Sequence, residues 1–351
     1  MKTMKQFRYS LILLVAFQVA SYVAQAAQKD GIQKVIKKEF TVQPDATLRL
    51  DNRFGDITCT IWGKNEISVE VTLSVETKSE ETAEKFFSKV DIYSLGSESE
   101  VEVTTKLAKN MNSKGHFSID YNVMMPASVV LDLSNEFGDV MISELFAKSA
   151  IRVAYGKASI GKLNHGDNLL KISFGSATVK SMKGAVVSLE FSKMRLDYAG
   201  SLRINSKYSD IDADEVIVME GTVEGGKIDL QQTSVLTIET KLSSFTVGSV
   251  KQKIVLDAEF GSFNVKTVSP EFKSLVVENQ HGSVGIGIPE TLGYTLDAKS
   301  QFGSIKFSKT NASFSLSNVS GQEEIYKGTV GENPTANVKI RNEFGSINLK
   351  P

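Results

Sequence analysis

The stretch 342–351, NEFGSINLKP, returns almost unchanged at 135–142, NEFGDVMI, and at 52–59, NRFGDITC. In each, an aromatic residue and a glycine precede alternating apolar residues. With the aromatic as position zero, the same corner falls at Phe54, Phe137, Tyr155, Phe174, Phe191, Tyr208, Gly225, Leu242, Phe260, His281, Phe302 and Phe344. From Phe137 to Phe302 the steps are 18, 19, 17, 17, 17, 17, 18, 21 and 21 residues. The step of 42 to Phe344 is twice 21, and the step of 83 from Phe54 to Phe137 is one repeat plus an insertion.

Gly or Ser follows every corner, a choice that permits a tight bend. Positions three and five after it are apolar throughout, from Ile57 and Cys59 to Ile347 and Leu349. Alternation at period two marks a strand with one buried face. A second alternating stretch precedes most corners, as in VVLDL before Phe137 and NVKI before Phe344. Each unit is therefore strand, bend, strand and turn. Four aliphatic side chains contribute at most roughly 6–12 kcal/mol on burial. Fixing about 17 backbones costs on the order of 17–34 kcal/mol, so one unit cannot stand alone. The sequence therefore predicts an all-β, parallel β-helix-like solenoid of about 12 short rungs, with the corner aromatics stacked in a ladder.

The residues also carry a resemblance. NRFGDITCTIWGKNEISVEV, the recurring FGxI and YKGTVGENPTANVKIRNEFGSINLK resemble the putative adhesin domain of exported bacterial proteins, common in Bacteroidetes. The resemblance covers most of the chain and implies the same β-helix-like fold. Its motifs are structural, and it supplies no catalytic residue.

The N-terminal segment sets the compartment. Lys2, Lys5 and Arg8 precede the apolar run Leu11–Ala20, and Ala24 and Ala26 follow at A-x-A spacing, which predicts a signal peptide over 1–26. A run of about ten residues is too short for a span of roughly 20. The predicted organisation continues with first strands over 27–63, an inserted capping region over 64–133 and the solenoid stack over 134–351. Within the insertion, Ser79 caps a helix whose Ala83, Phe86, Phe87 and Val90 share one face. Residues 308–334 read as a degenerate rung or a hairpin, and the rung at Phe344 reads as the uncapped last layer.

Charge and motifs exclude several classes. The net charge of −1 and interspersed signs leave no nucleic-acid footprint. Cys59 is the only cysteine, so no internal disulfide forms, and its phase with Ile57 and Ile61 faces it inward. GTVEGGKI (221–228) lacks the Ser/Thr and the helix of a phosphate-binding loop. DIDAD (210–214) lacks the glycine and distal glutamate of a calcium loop. His116, His165 and His281 are far apart in sequence, and His281 occupies a corner slot. No catalytic residue, cofactor or metal site is predicted.

Outward positions two and four after each corner form the exposed face of the second strand. Its centre is charged: Lys193, Arg195, Asp210, Asp212, Lys227 and Asp229 should lie on adjacent rungs and form a contact patch. The function expected is a non-enzymatic, adhesin-like surface protein of the bacterial envelope, binding an envelope protein or glycan. The rival is a periplasmic module docking another envelope protein; a carbohydrate-active enzyme using the charged centre is the weakest reading.

Overall fold

The computed structural model describes residues 31–109, 116–308 and 311–350, so the segment read as a signal peptide lies outside the described residues. The described chain is mostly β, with a single short helix near its N-terminal end. Among the described residues, 23 strands join one hydrogen-bonded sheet of mixed but largely parallel pairing.

The repeat sets the register. Position three of one unit pairs with position three of the next: Ile57 with Val140, Val140 with Ala158, Ala158 with Ala177, Ala177 with Met194, Met194 with Ile211, and Ile211 with Ile228. Because partners share a column, inward residues meet inward residues. Both apolar columns are buried at all twelve units, with no member more than 6% exposed. One β-strand segment, Lys227–Val268, runs for 42 residues. A straight strand of that length would reach about 140 Å, but the backbone turns within it at Leu242 (φ 54°) and Phe260 (φ 50°).

The corners differ from the expected bend. All twelve corner residues, aromatics included, hold positive φ, from 47° at Phe191 to 69° at Gly225. For a non-glycine residue this left-handed conformation costs about 1–2 kcal/mol. Two contacts offset it. The corner N–H donates to the carbonyl that ends the first strand of the next unit, as from Phe174 to Glu190 (2.9 Å) and Tyr208 to Glu224 (2.7 Å). The rings also stack, at about 0.5–1.5 kcal/mol per pair.

The following glycine serves another purpose: close approach. A Cβ on Gly156 would sit 2.0 Å from the Gly138 carbonyl oxygen, and one on Gly175 would sit 2.1 Å from that of Gly156. Where serine replaces it, the hydroxyl donates to the carbonyl two residues back, as from Ser192 to Glu190 and from Ser209 to Lys207 (both 2.7 Å).

Both ends of the sheet depart from sequence order. At the first corner, Phe54 stacks on Phe137 at 5.1 Å, so the 83-residue step does contain an insertion. Within it, Phe117–Met125 runs parallel to Ile57–Ile61 and antiparallel to Glu66–Val75, which pairs with Ile32–Thr41. The helix spans Glu80–Phe87, and Ser79 Oγ accepts from the Thr82 N–H at 3.2 Å. Ala83, Phe86 and Phe87 are buried as expected. Val90 is not on the helix; it opens the strand Val90–Gly96.

At the other end the expectation of an uncapped final layer is overturned. Strand Ala336–Glu343 enters between Ser274–Ile286 and Tyr294–Gln301, parallel to both. Phe344 accordingly stacks between His281 (4.9 Å) and Phe302 (4.8 Å). Tyr294–Gln301 then pairs antiparallel with Glu323–Val330, which forms a hairpin with Ser313–Ser320. Residues 308–334 thus contain a hairpin, not a degenerate repeat.

A charged depression on the sheet surface

Outward positions on adjacent units must come together once the columns register. Lys193 pairs with Asp210, Arg195 with Asp212, and Asp212 with Asp229 across the sheet. All six residues of the expected patch line one open depression of about 420 Å³, floored by Ala177, Met194 and Ile211.

Arg195 organises it. Its guanidinium donates to Asp212 at 2.6 Å, makes a short contact with Asp214 and lies 3.5 Å from Asp197. Asp214, then Asp212, raises the Arg195 pKa further above its ordinary value. Lys227 Nζ pairs with Asp229 at 2.7 Å, and that contact raises its pKa too. Lys193 lies 3.9 Å from Asp210 with its side chain 79% exposed, which leaves its ammonium largely open to solvent. Asp210 has a second task, since its Oδ1 accepts the backbone N–H of Lys227 at 3.2 Å. The same device links Asp56 to the N–H of Asp139 and Asp139 to that of Lys157, each at 2.8 Å. The acid two positions after the corner is therefore part of the stack as well as of its surface.

Asp197 and Asp214 lie outside the sequence-derived patch, although each stands at position six of its unit. Extending the outward columns from positions two and four to six would have found them. The arrangement fits surface charge pairing better than acid–base work. Asp210 and Asp212 side chains are 53% and 60% exposed, so neither sits in the enclosed, water-poor setting that acid–base work uses. In DIDAD, Arg195 occupies two of the three carboxylates. Among the described residues, no cluster of His, Cys, Asp and Glu is arranged for a metal ion. Nor is any helix there long and apolar enough to cross a membrane.

Two further side-chain columns bear on the surface. The first is the ring ladder: Phe54, Phe137, Tyr155, Phe174, Phe191 and Tyr208 stack in sequence at 4.8–5.4 Å. A second stack orders Phe260, His281, Phe344 and Phe302, so His281 has the packing role expected of it. Apart from the more buried Phe54, these rings are about half exposed, but their faces cover one another, so mainly edges reach solvent. The second column escaped the sequence reading. Two residues before the corner, Asn52 donates to Asn135 Oδ1 (3.2 Å), Asn279 to Asn342 Oδ1 (2.7 Å) and Asn342 to Ser300 Oγ (2.7 Å), all buried.

The chain matches solved structures of putative adhesins over most of its length. One, a putative adhesin from Bacteroides fragilis, is 15% identical and covers 72% of this chain and 97% of its own, with a TM-score of 0.31. Another, from Parabacteroides distasonis, is 14% identical and covers 74% and 98%, also with a TM-score of 0.31. A putative cell adhesion protein from Clostridium sporogenes is 13% identical and covers 90% and 99%, with a TM-score of 0.19. No protein-family description and no curated protein matches the sequence. At these identities and TM-scores, function has to be argued from the chain's own residues.

Proposed function

We propose that this chain is an exported, non-enzymatic β-solenoid that binds other envelope components through its outward sheet face, in the manner of an adhesin. The observation carrying the proposal is the depression around Arg195, where six outward charges on three adjacent units converge in the open. Uniform column-to-column pairing and a left-handed corner at every unit support the solenoid reading. Export rests on the basic, apolar and A-x-A segments of residues 1–26.

Shallow sites of paired, exposed charges give low single-site affinity; a rigid face with regular spacing compensates through multivalency. The partner class is a charged protein surface or charged glycan of the envelope, met by the open ammonium of Lys193 and the acids around Arg195. The test uses residues 27–351 and a cell-envelope fraction. The variant Lys193→Glu/Arg195→Glu/Lys227→Glu should lose at least about tenfold in retention, and Arg203→Glu, at a residue paired with Glu220 outside the depression, should not. Equal retention of both variants would remove the depression from the account.

A further inference from the structure

The hairpin strand Ser313–Ser320 is an open sheet edge. Among the described residues it pairs on one side only, with Glu323–Val330. Seven of its eight residues are exposed, including Leu316 (45%) and Val319 (63%). It contains no charged residue and no proline, the usual guards of an exposed edge. The contrast with the strand at the opposite end, Ile32–Thr41, is sharp. That strand also pairs on one side only, but it carries Lys34, Lys37, Lys38 and Glu39.

We propose that Ser313–Ser320 pairs antiparallel with the same strand of a second copy, joining two molecules end to end through a continuous sheet. This interface goes beyond the binding face and is independent of it. A second copy fits because a two-fold axis through Ser317 brings no like charges together. With Ser315 bulged out on both strands, the axis sets Phe314 opposite Val319 of the second copy, and Leu316 opposite its Asn318. The faces agree as well. Phe314 packs on Phe307 and Tyr326, each at 5.8 Å. Ser317 pairs with Tyr326 and Val319 with Glu324, so Val319 shares the Tyr326 face by alternation. The bulge at Ser315 keeps Phe314 on that face, since Phe314 pairs with Gly328 and Leu316 with Lys327. Pairing therefore extends the Phe307–Phe314–Tyr326 cluster with the exposed Val319 of the other molecule.

Sedimentation of residues 27–351 over a concentration series tests this, with circular dichroism verifying that each variant is folded. A monomer–dimer equilibrium is expected, and Val319→Lys should weaken it at least about tenfold. Leu316→Asp/Asn318→Asp sets like charges opposite one another and should also weaken it, while Leu316→Lys/Asn318→Asp should restore it. Val35→Lys, at the other edge, should leave it unchanged. A monomer at every concentration, a dimer indifferent to the charge swap, or one lost on Val35→Lys would overturn the proposal.

Discussion

His281 and Phe344 stack with centroids 4.9 Å apart and planes 2° from parallel, although the Phe302 corner lies between them in sequence. The chain passes the His281 layer, builds the Phe302 layer and the hairpin, then returns to fill the space left between them. Truncation at residue 335 should therefore remove an interior strand, not an end. The Phe302 layer loses its parallel neighbour, and buried Leu275, Val277, Leu296 and Ala298 lose the strand between them. Thermal unfolding of the truncated chain should show loss of the C-terminal layers; an unchanged transition would contradict this topology.

Close glycine packing gives the most severe single substitution. Gly156→Ala forces a methyl group against the Gly138 carbonyl at 2.0 Å, backbone against backbone. Destabilisation of about 2 kcal/mol or more is expected by denaturant unfolding. Gly63, with nothing within 4 Å of its notional Cβ, is the neutral control.

The buried asparagine column yields a second stability prediction. Asn135 Nδ2 donates to the Gly55 carbonyl at 2.9 Å, and its Oδ1 accepts from Asn52. Asn135→Ala removes both bonds, leaving Asn52 Nδ2 on the Ile119 carbonyl (2.9 Å) and the Gly55 carbonyl with only a long contact to Asn52 (3.3 Å), and should cost about 1–3 kcal/mol. A loss below about 0.5 kcal/mol would show that the column is dispensable.

Burial pushes the Cys59 thiol up to about 12 and the Tyr294 phenol also to about 12. Unfolded, these groups ionise near 8.5 and 10. The folded state therefore holds protons that the unfolded state has released, and stability falls as pH rises from about 8.5 toward 12. Native Cys59, 2% exposed, should resist a thiol reagent at pH 8 and react fully once the chain is unfolded. Rapid native labelling would contradict its burial.

The apolar columns were legible because each recurs at every unit; Met194 and Phe263 reveal the same inward position as Ile57. The ladder was legible for the same reason, even through His281. The order of layers was not, because spacing alone cannot separate a strand added at the end from one inserted earlier. Phe344 lies two periods beyond Phe302 by count and beside it in space. The corner was legible only in part: at every unit the residue before the glycine or serine is left-handed, most often an aromatic whose strain is offset by stacking that sequence does not display, and Gly226 and Gly261 hold positive φ as well. The charged depression was found by column counting, and Asp197 and Asp214 were missed one step further along the same columns.

The proposed adhesin role requires that the chain be reachable on the cell surface. Protease treatment of intact native cells, followed by mass spectrometry of released peptides, tests it most directly, with lysed cells showing that the protein can be cut once reached. The account predicts that peptides from residues 27–351 are released from intact cells. Protection until lysis would contradict it.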